Sequence, residues 1–387
     1  MHIMQQCIHR EGLIQRIRSK LSRSPAVAVL GARQVGKTTL ARQIASAWPE
    51  EVHFFDLEKT QDKQALSHTP ERILSSCKGL VVLDEIQRMP GLFEILRPLC
   101  DDPNRNAVFL LLGSANWDLV KGVSESLAGR VLFVDVPGLS MEEVGTSRLN
   151  DLWFRGGYPR AFCAEQDETS REWTEAFRRT YLERDIPGSG SKVSPASLER
   201  FWTMLAHYHG QTWNASKFSQ ALGMDTRTVT HYRDLLAGTF MIRVLPPWFE
   251  NLGKRTVKSP KVYIRDTGLL HNMLGLHDLR AVQSHPAYGA SWEGFALEQI
   301  LMAHDMRDAW FWGTQRGAEL DLMILRNGKR IGFEFKCTDA PSTSKSMHIA
   351  LQDLQLAHLY VIYPGTRAYP LHENITALPL SDAIRRA

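Results

Sequence analysis

The sequence has no long apolar run, few cysteines and little excess charge. No stretch reaches the ~18 consecutive apolar residues of a membrane-spanning helix, and the opening MHIMQQCIHREGLIQRI has neither the apolar segment nor the cleavage site of a signal peptide. Its five cysteines are scattered, without a Cys-x-x-Cys pair. These absences argue against a disulfide framework or a thiolate zinc site, and they predict a cytoplasmic protein without a membrane partner.

Length and composition indicate a globular protein of several domains. The 387 residues are 43% hydrophobic and 23% charged, which is typical of a folded chain but too long for one core, so two to four domains are expected. The net charge of +4 is compatible with nucleic-acid binding but does not require it.

The strongest pattern is a phosphate-binding loop between a strand and a helix. The apolar run 26–30 predicts a buried parallel strand, and GARQVGKT then matches G-x-x-x-x-G-K-[ST] before an amphipathic helix. Glycines let backbone N–H groups surround a phosphate at the positive end of the helix. Lys37 would reach the β- and γ-phosphates, and the Thr38 hydroxyl would bind Mg²⁺. The predicted ATP contacts are Gly31, Ala32, Arg33, Gln34, Val35, Gly36, Lys37, Thr38 and Thr39.

Polar residues at the ends of later apolar strands add candidate catalytic groups. Asp84 and Glu85 follow the run 79–83, where Asp84 would hold Mg²⁺ through water and Glu85 would polarise the attacking water. Ser114 ends the next strand and is placed to sense the γ-phosphate, with Asn116 as the alternative. Arg130 precedes a further strand, and it is either a surface charge or an arginine finger donated to a neighbouring subunit.

This order of motifs resembles the AAA+ class of ATPases, with Walker A and Walker B motifs. More narrowly, five phrases resemble a family of uncharacterised prokaryotic AAA+ ATPases whose C-terminal region has no known function: DEIQRMPGLFEILRPL, SLAGRV, RGGYPRAF, YLERDI and YIRDTGLLHNMLG. The resemblance covers nearly the whole chain. It implies Mg²⁺-dependent ATP hydrolysis on an AAA+ core and a homo-oligomer formed through that core.

The middle of the chain is predicted to be helical and then to form a winged helix. Residues 139–208 suit the helical lid of an AAA+ protein. The stretch 213–247 resembles a helix-turn-helix with Gly223 at the turn, followed by a strand. Its second helix would expose side chains that suit phosphates and base edges, and a basic run follows, so either DNA contact or transmission of motion between domains is open. These side chains are Arg227, Thr228, Thr230, His231 and Arg233, and the basic run is Lys254, Arg255, Lys258 and Lys261.

The C-terminal third carries a hairpin with charges inside its strands. AELDLMILRNGKRIGFEFKC has two apolar strands around an Asn-Gly turn, with Asp321 in the first strand and Glu334 and Lys336 in the second. The order helix, strand, strand, helix, strand and the pattern D…ExK resemble PD-(D/E)xK restriction-type nucleases. The resemblance implies a site where Asp321, Glu334 and the helical Glu293 bind Mg²⁺ or Mn²⁺ and Lys336 lies near the attacking water. Glu298 is the alternative third ligand, and a solvent-facing edge hairpin is the alternative to a site.

The sequence therefore predicts an α/β protein with four parts. They are an AAA+ P-loop NTPase core (1–138), a helical lid (139–208), a winged helix (209–250) and a restriction-endonuclease-like α/β domain (251–387). The predicted function is ATP hydrolysis coupled to a C-terminal domain that binds nucleic acid, with DNA as the expected partner. Whether this domain also cleaves DNA is left open by the sequence. The alternatives are an ATP-driven switch with an inactive nuclease-like domain, and a signalling ATPase that oligomerises on ATP.

Overall fold

The computed structural model describes residues 8–114, 125–188, 193–249, 256–304 and 308–386. It divides the chain into two compact units. The first comprises Met1–Gly138 and Gly238–Phe240, and the second comprises Leu139–Ala237 and Met241–Ala387. The predicted Asn116, Lys254 and Arg255 lie outside the described residues.

The first unit is built on a parallel five-stranded sheet. Its strands are β1 (Ala26–Gly31), β2 (Val52–Asp56), β3 (Gly79–Asp84), β4 (Ala107–Ser114) and β5 (Val131–Asp135). They lie in the order β2-β3-β4-β1-β5. All residues of β1 and β3 are buried, which explains why both read as continuous apolar runs rather than alternating ones. Each strand predicted in this part is present.

Helices flank this sheet and supply its core. They are α1 (Glu11–Leu21), α2 (Lys37–Ser46), α3 (Thr60–His68), α4 (Pro70–Ser76) and α5 (Leu92–Asp101), with a 3₁₀ turn at Ile86–Arg88. One cluster of buried side chains joins Leu66, Leu74 and Leu96 to the strand residues Val81 and Leu111. The result is an α/β layer in which the carboxyl ends of β1 and β3 lie at one edge, the usual place for ligands in such folds.

The second unit begins with helices, as predicted. They are α6 (Met141–Val144), α7 (Leu149–Arg155), α8 (Pro159–Phe162), α9 (Asp167–Thr180), α10 (Ile186–Gly188), α11 (Pro195–His207), α12 (Ala215–Leu222) and α13 (Thr226–Gly238), with a 3₁₀ turn at Thr146–Arg148 and a π turn at Tyr181–Asp185. Gly223 follows α12 with a φ of 66°, so the tight turn of the predicted helix-turn-helix is present. A small antiparallel sheet, ordered β6-β8-β7, follows from β6 (Gln211–Thr212), β7 (Ile242–Leu245) and β8 (Lys261–Ile264).

The rest of the second unit contains a mixed six-stranded sheet. Its strands are β9 (Ala309–Gly313), β10 (Glu319–Arg326), β11 (Lys329–Phe335), β12 (His358–Tyr363), β13 (Tyr369–His372) and β14 (Ile375–Pro379), in the order β13-β14-β12-β11-β10-β9. The remaining helices are α14 (Thr267–Met273), α15 (Leu279–Ser284), α16 (Tyr288–His304), α17 (Lys345–Asp353) and α18 (Leu380–Arg386). The sequence predicts helix, two strands, helix and strand here, whereas the structure has α16, three strands β9, β10 and β11, then α17 and β12, so the prediction missed β9.

The predicted hairpin is present, and its strands are buried at the end away from the turn. β10 and β11 pair antiparallel around Asn327 and Gly328, whose φ values of 49° and 74° suit a tight two-residue turn. Phe333 and Glu334 are neighbours in β11, yet both are buried, at 0% and 6% exposure. The interpretation as an edge with one wet face is therefore wrong for this end of the hairpin.

In the described part of the chain, no helix is both long and apolar enough to cross a membrane.

Candidate functional site

The loop between β1 and α2 has the backbone shape that its glycines predict. Gly36 precedes α2 with a φ of 94°, in the left-handed region that glycine adopts without strain. A Cβ on Gly31 would lie 2.3 Å from the carbonyl oxygen of Val136, so a larger residue does not fit there. Gln34 has a φ of 64°, which is uncommon for a residue with a side chain and is frequent at functional loops. The sequence pattern thus corresponds to a specific, partly strained loop.

The other residues of the loop differ in exposure. Ala32 and Val35 are buried, Arg33 is half-buried, and Gln34 and Thr39 are exposed. Because these side chains differ in exposure, the predicted phosphate contacts have the backbone N–H groups of this segment in common.

Lys37 turns back onto its own loop. Its Nζ donates hydrogen bonds to the carbonyl oxygens of Gly31 at 3.0 Å and Ala32 at 2.8 Å, and the residue is only 6% exposed. Burial lowers the pKa of Lys37 to about 8, although the carboxylates of Glu85 and Asp84 oppose the shift. The ammonium is therefore held inside the loop by carbonyl oxygens, which phosphate oxygens are able to replace.

Thr38 and Asp84 meet at the carboxyl edge of the sheet. The Thr38 hydroxyl donates to Asp84 Oδ2 at 2.7 Å, and the Glu85 N–H donates to Asp84 Oδ1 at 3.0 Å. Burial raises the pKa of Asp84, and the Thr38 hydrogen bond lowers it in part. Hydroxyl and carboxylate oxygens are ligands that Mg²⁺ prefers, so these two residues fit a Mg²⁺ ion.

Glu85 stands in an unusual backbone conformation immediately after β3. Its φ of 56° lies in the left-handed region, where a non-glycine residue is costly and is retained mainly at functional positions. The side-chain amide of Gln87 donates a hydrogen bond to Glu85 Oε2. Sequence reasoning missed Gln87, because a glutamine in a 3₁₀ turn carries no distinctive signal.

Ser114 lies at the carboxyl ends of the parallel strands, and Arg130 lies at their amino ends. Ser114 is the last residue of β4 and pairs with Gly31, so its backbone lies beside the start of the phosphate-binding loop. Arg130 precedes β5, whose first residue pairs with Ala26 at the start of β1. Its guanidinium forms two hydrogen bonds with the carboxylate of Asp101, at 2.6 and 2.7 Å. The structure therefore does not bring Arg130 to the nucleotide site of its own subunit.

Arg10 is a buried residue of this unit that the sequence did not single out. It is 4% exposed and donates to the carbonyl oxygens of Val35 at 3.3 Å, Pro137 at 3.2 Å and Gly138 at 2.9 Å. It thus ties the phosphate-binding loop to the segment after β5. A lone arginine before an amphipathic helix gives no sequence signal for this role.

A second cluster of charged residues lies in the second unit, at the predicted nuclease-like site. Asp321 on β10 and Glu334 on β11 are 8% and 6% exposed. Asp321 Oδ2 accepts from the Phe335 N–H at 3.1 Å, and Glu334 Oε1 accepts from Lys336 Nζ at 2.7 Å. Glu293 joins them from α16. The structure therefore brings together the four residues that the D…ExK resemblance selected.

Lys261 lies inside this cluster, whereas the sequence predicts it in a basic run that extends a positive face. Its Nζ is 3.1 Å from Glu293 Oε1 and 3.2 Å from Asp321 Oδ1, and it also pairs with Glu319. Its side chain is only 5% exposed. Tyr263, two residues along β8, donates its hydroxyl to Glu293 Oε1 at 2.6 Å. The expectation that Lys261 extends an exposed positive face is wrong, because carboxylates from α16 and β10 enclose it.

Burial and mutual repulsion shift the pKa values of this cluster. Burial, helped by the nearby Asp321 charge, raises the pKa of Glu334 to about 8 and that of Glu293 to about 7. Burial alone would lower the pKa of Lys261, but Glu293 and the other acidic neighbours hold it well above the usual value. Lys261 therefore stays charged inside the cluster.

The cluster does not fit a divalent metal ion in this arrangement. In residues 8–114, 125–188, 193–249, 256–304 and 308–386, no group of three or more His, Cys, Asp or Glu side chains is arranged to hold a metal. Both oxygens of Asp321 already accept hydrogen bonds. Glu298, the alternative ligand, is paired with Arg243 and Arg265; burial alone would raise the pKa of Glu298, but the two guanidinium groups hold it below the usual value.

The second helix of the helix-turn-helix exposes fewer polar side chains than predicted. Arg227 and His231 are exposed. The Thr228 hydroxyl bonds to Asp225 at 2.7 Å, and the Thr230 hydroxyl bonds to the Thr226 carbonyl at 2.7 Å. Arg233 bonds to Asp234 and lies 5.3 Å from the centre of the Trp213 ring. Three of the five predicted side chains are thus engaged within the unit.

Family models divide the chain into three matched segments. An AAA domain matches residues 23–145, a domain of unknown function (DUF8612) matches residues 146–280, and a second domain of unknown function (DUF4143) matches residues 288–383. The first match covers the parallel sheet and the loop with Lys37. Residues 23–145 are therefore a P-loop ATPase-like domain with an α/β fold, whereas the nuclease-like interpretation of the C-terminal part has no support from the second or third match.

Among known proteins, the chain is similar to two mycobacterial proteins of unknown activity. It is 45% identical over 377 residues to "Uncharacterized protein Rv2008c" of Mycobacterium tuberculosis and to "Uncharacterized protein Mb2031c" of Mycobacterium bovis. The alignments cover 97% of this chain and 85% of each relative.

Likenesses to solved structures are weak. A Walker-type ATPase of Pyrococcus abyssi matches with a TM-score of 0.49 and 14% identity, covering 69% of this chain and 96% of that one. The RuvB Holliday junction branch migration motor of Thermotoga maritima matches with a TM-score of 0.30 and 18% identity, covering 63% of this chain and 92% of that one. At these values neither likeness supports an inference about function.

Proposed function

We propose that the first unit of this chain, which belongs to the family of the mycobacterial uncharacterized protein Rv2008c, hydrolyses ATP with Mg²⁺. The observation that carries the proposal is the meeting of Thr38 Oγ1 and Asp84 Oδ2 at 2.7 Å, beside the loop that contains Lys37. A phosphate-binding loop alone indicates nucleotide binding. The added carboxylates of Asp84 and Glu85 favour hydrolysis, because they supply a metal ligand and a group that polarises water.

Each residue has a distinct task in this proposal. The backbone N–H groups of residues 31–39 and the start of α2 bind the phosphates, and Lys37 leaves its carbonyl partners to contact them. Thr38 and Asp84 would hold Mg²⁺, which neutralises charge on the phosphate oxygens when it is bound. Glu85 orients and polarises the attacking water, and Ser114 contacts the γ-phosphate or that water.

Replacing Lys37 with alanine tests the assignment. Phosphate release from Mg²⁺ and ATP should fall by a factor on the order of 100 or more, since the variant loses a charge aimed at the transferred phosphoryl group. The matched control is Lys20→Ala, a change in α1 of the same unit; Lys20 donates to the carbonyl oxygen of Phe133 and lies outside the phosphate-binding loop. Undiminished turnover in Lys37→Ala would contradict the proposed function.

Arg130 would act between subunits of a homo-oligomer. Its position at the amino ends of the strands, opposite the phosphate-binding loop, and its partial exposure favour donation to a neighbouring nucleotide site over its own. Donation requires the guanidinium to leave Asp101. This pair is exposed and is therefore weak enough to exchange.

Binding and cleavage of DNA by the second unit is the second candidate function. The observation that favours it is the joining of Asp321, Glu334 and Lys336 with Glu293 in one cluster. Cleavage with Mg²⁺ or Mn²⁺ requires the present donors to leave those carboxylates. A nicking assay on duplex DNA with both metals, and with Asp321→Asn as control, tests it. DNA-stimulated ATP hydrolysis without Asp321-dependent nicking would instead favour an ATP-driven switch.

A further inference from the structure

The cluster around Asp321 contains more acidic than basic groups. Its carboxylates come from three elements, α16, β10 and β11, and its ammonium groups come from β8 and from the residue that follows β11. The carboxylates are Glu293, Glu319, Asp321 and Glu334, and the ammonium groups are Lys261 and Lys336. Removing such charges from water is costly unless each is paired.

Lys261 is the cation that joins α16 to β10. It pairs with Glu293 of α16 and with Glu319 and Asp321 of β10, whereas Lys336 pairs with Glu334 of β11. The side chain of Lys261 is 5% exposed and that of Lys336 is 37% exposed. The ammonium of Lys261 is therefore the buried centre of positive charge, and Lys336 lies at the rim.

Three carboxylate oxygens that converge on this centre already have partners, whereas Glu334 Oε2 is buried without a hydrogen-bond partner in the described part of the chain. Asp321 Oδ1 contacts Lys261, and Asp321 Oδ2 accepts from the Phe335 N–H. Glu293 Oε1 accepts from both Lys261 and Tyr263. A divalent cation needs several of the same oxygen atoms at 2.0–2.6 Å. An ammonium about 3 Å from those oxygens would occupy the same space and repel the incoming charge.

We propose that Lys261 is the resident cation of this acidic cluster and that its ammonium excludes divalent metal ions from Glu293 and Asp321. Metal binding and the Lys261 contacts are mutually exclusive states of one site. The proposal goes beyond ATP hydrolysis and does not depend on it, because it concerns only side chains of the second unit.

The test is direct binding of Mn²⁺ to the full chain, measured by the loss of the free Mn²⁺ signal in electron paramagnetic resonance. Asp84→Asn is present in every sample, and nucleotide is omitted, so that the first unit contributes no metal binding. The protein with the wild-type cluster should show no Mn²⁺ binding that depends on Asp321. Lys261→Met, which keeps the length and loses the charge, should bind Mn²⁺ at least about tenfold more tightly.

Two further variants test whether the Mn²⁺ binding of Lys261→Met arises from the loss of positive charge at this cluster. Lys261→Arg retains the positive charge and should remain as poor a binder as the wild type. Asp321→Asn added to Lys261→Met should abolish the new binding. If neither Lys261→Met nor the wild type binds Mn²⁺, Lys261 is not what excludes the metal and the proposal is wrong.

The proposal stays testable if Lys261→Met does not fold, as judged by circular dichroism and thermal unfolding. The comparison then rests on the wild-type cluster and Asp321→Asn. Mn²⁺ binding by the wild type that Asp321→Asn removes would overturn the proposal, and the absence of such binding supports it. Loss of ATP hydrolysis affects neither outcome, so failure here is distinct from failure of the proposed function.

Discussion

Lys37 and Lys261 are both buried lysines, but their partners differ in charge. Lys37 donates to the carbonyl oxygens of Gly31 and Ala32, and burial lowers its pKa to about 8. Lys261 lies among carboxylates, which hold its pKa well above the usual value against the effect of burial. Neutral partners are easily exchanged for a phosphate, whereas carboxylate partners retain the lysine. The same residue type thus suits ligand binding in one unit and charge compensation in the other.

The burial of His271 should make the stability of the second unit depend on pH. It is fully buried, contacts Phe154 O at 3.0 Å and Ser291 Oγ at 2.7 Å, and burial lowers its pKa to about 4. Because the unfolded chain takes up the proton first, stability is present above pH ~6.5 and is lost as the pH falls toward 4. Between pH 7 and pH 5, His271 alone should lower the free energy of unfolding by about 2 kcal/mol.

Urea unfolding followed by tryptophan fluorescence measures this effect, since Trp153 donates to the same Ser291 hydroxyl. His271→Gln should reduce the pH dependence of the unfolding free energy, whereas His277→Gln, at an exposed position, should leave it unchanged. An identical pH slope in His271→Gln and the wild type would show that His271 does not carry the effect.

At the scale of elements, the sequence was most informative where one local pattern determines one structure. The parallel strands, the loop before α2 and the β10–β11 hairpin follow from apolar runs, glycine spacing and an Asn-Gly turn. Apart from Gln87, the residues that sequence reasoning missed or misplaced act over long separations in the chain. Arg10 reaches Pro137, and Lys261 reaches Asp321. No local pattern encodes such partners, because only the tertiary fold brings them together.

The helix-turn-helix also shows this limit, and it supports a prediction about DNA. The two helices α12 and α13 and the turn between them follow from spacing, but intramolecular hydrogen bonds occupy Thr228 and Thr230. Arg227 remains as the exposed cation of the five side chains. If α13 contacts DNA, Arg227→Ala should weaken duplex binding and reduce the slope of log K against log salt by about 1.

A salt titration with fluorescently labelled duplex DNA measures that slope. Arg179→Ala is the matched control, because Arg179 is an exposed arginine on α9 of the same unit, outside the helix-turn-helix. Equal slopes for Arg227→Ala and the wild type would exclude a phosphate contact by this helix and favour a role in transmitting motion.

At the scale of the whole molecule, an arginine donated between subunits predicts complementation. Arg130→Ala lacks the arginine but keeps its loop, and Lys37→Ala lacks the loop lysine but keeps Arg130. Each variant alone should be inactive, while their mixture should recover part of the wild-type ATP turnover, because Lys37→Ala subunits supply Arg130 to intact loops. A mixture as inactive as its components would contradict action in trans.

The hydrolysis of ATP, rather than its binding alone, is the claim on which this account depends. Glu85→Gln separates the two, because the side chain keeps its size and its place after β3 but loses the charge that polarises water. We predict that this variant binds ATP as the wild type does, measured by a fluorescent ATP analogue, while phosphate release falls by a factor on the order of 100 or more. Phosphate release at the wild-type rate from Glu85→Gln would contradict the account.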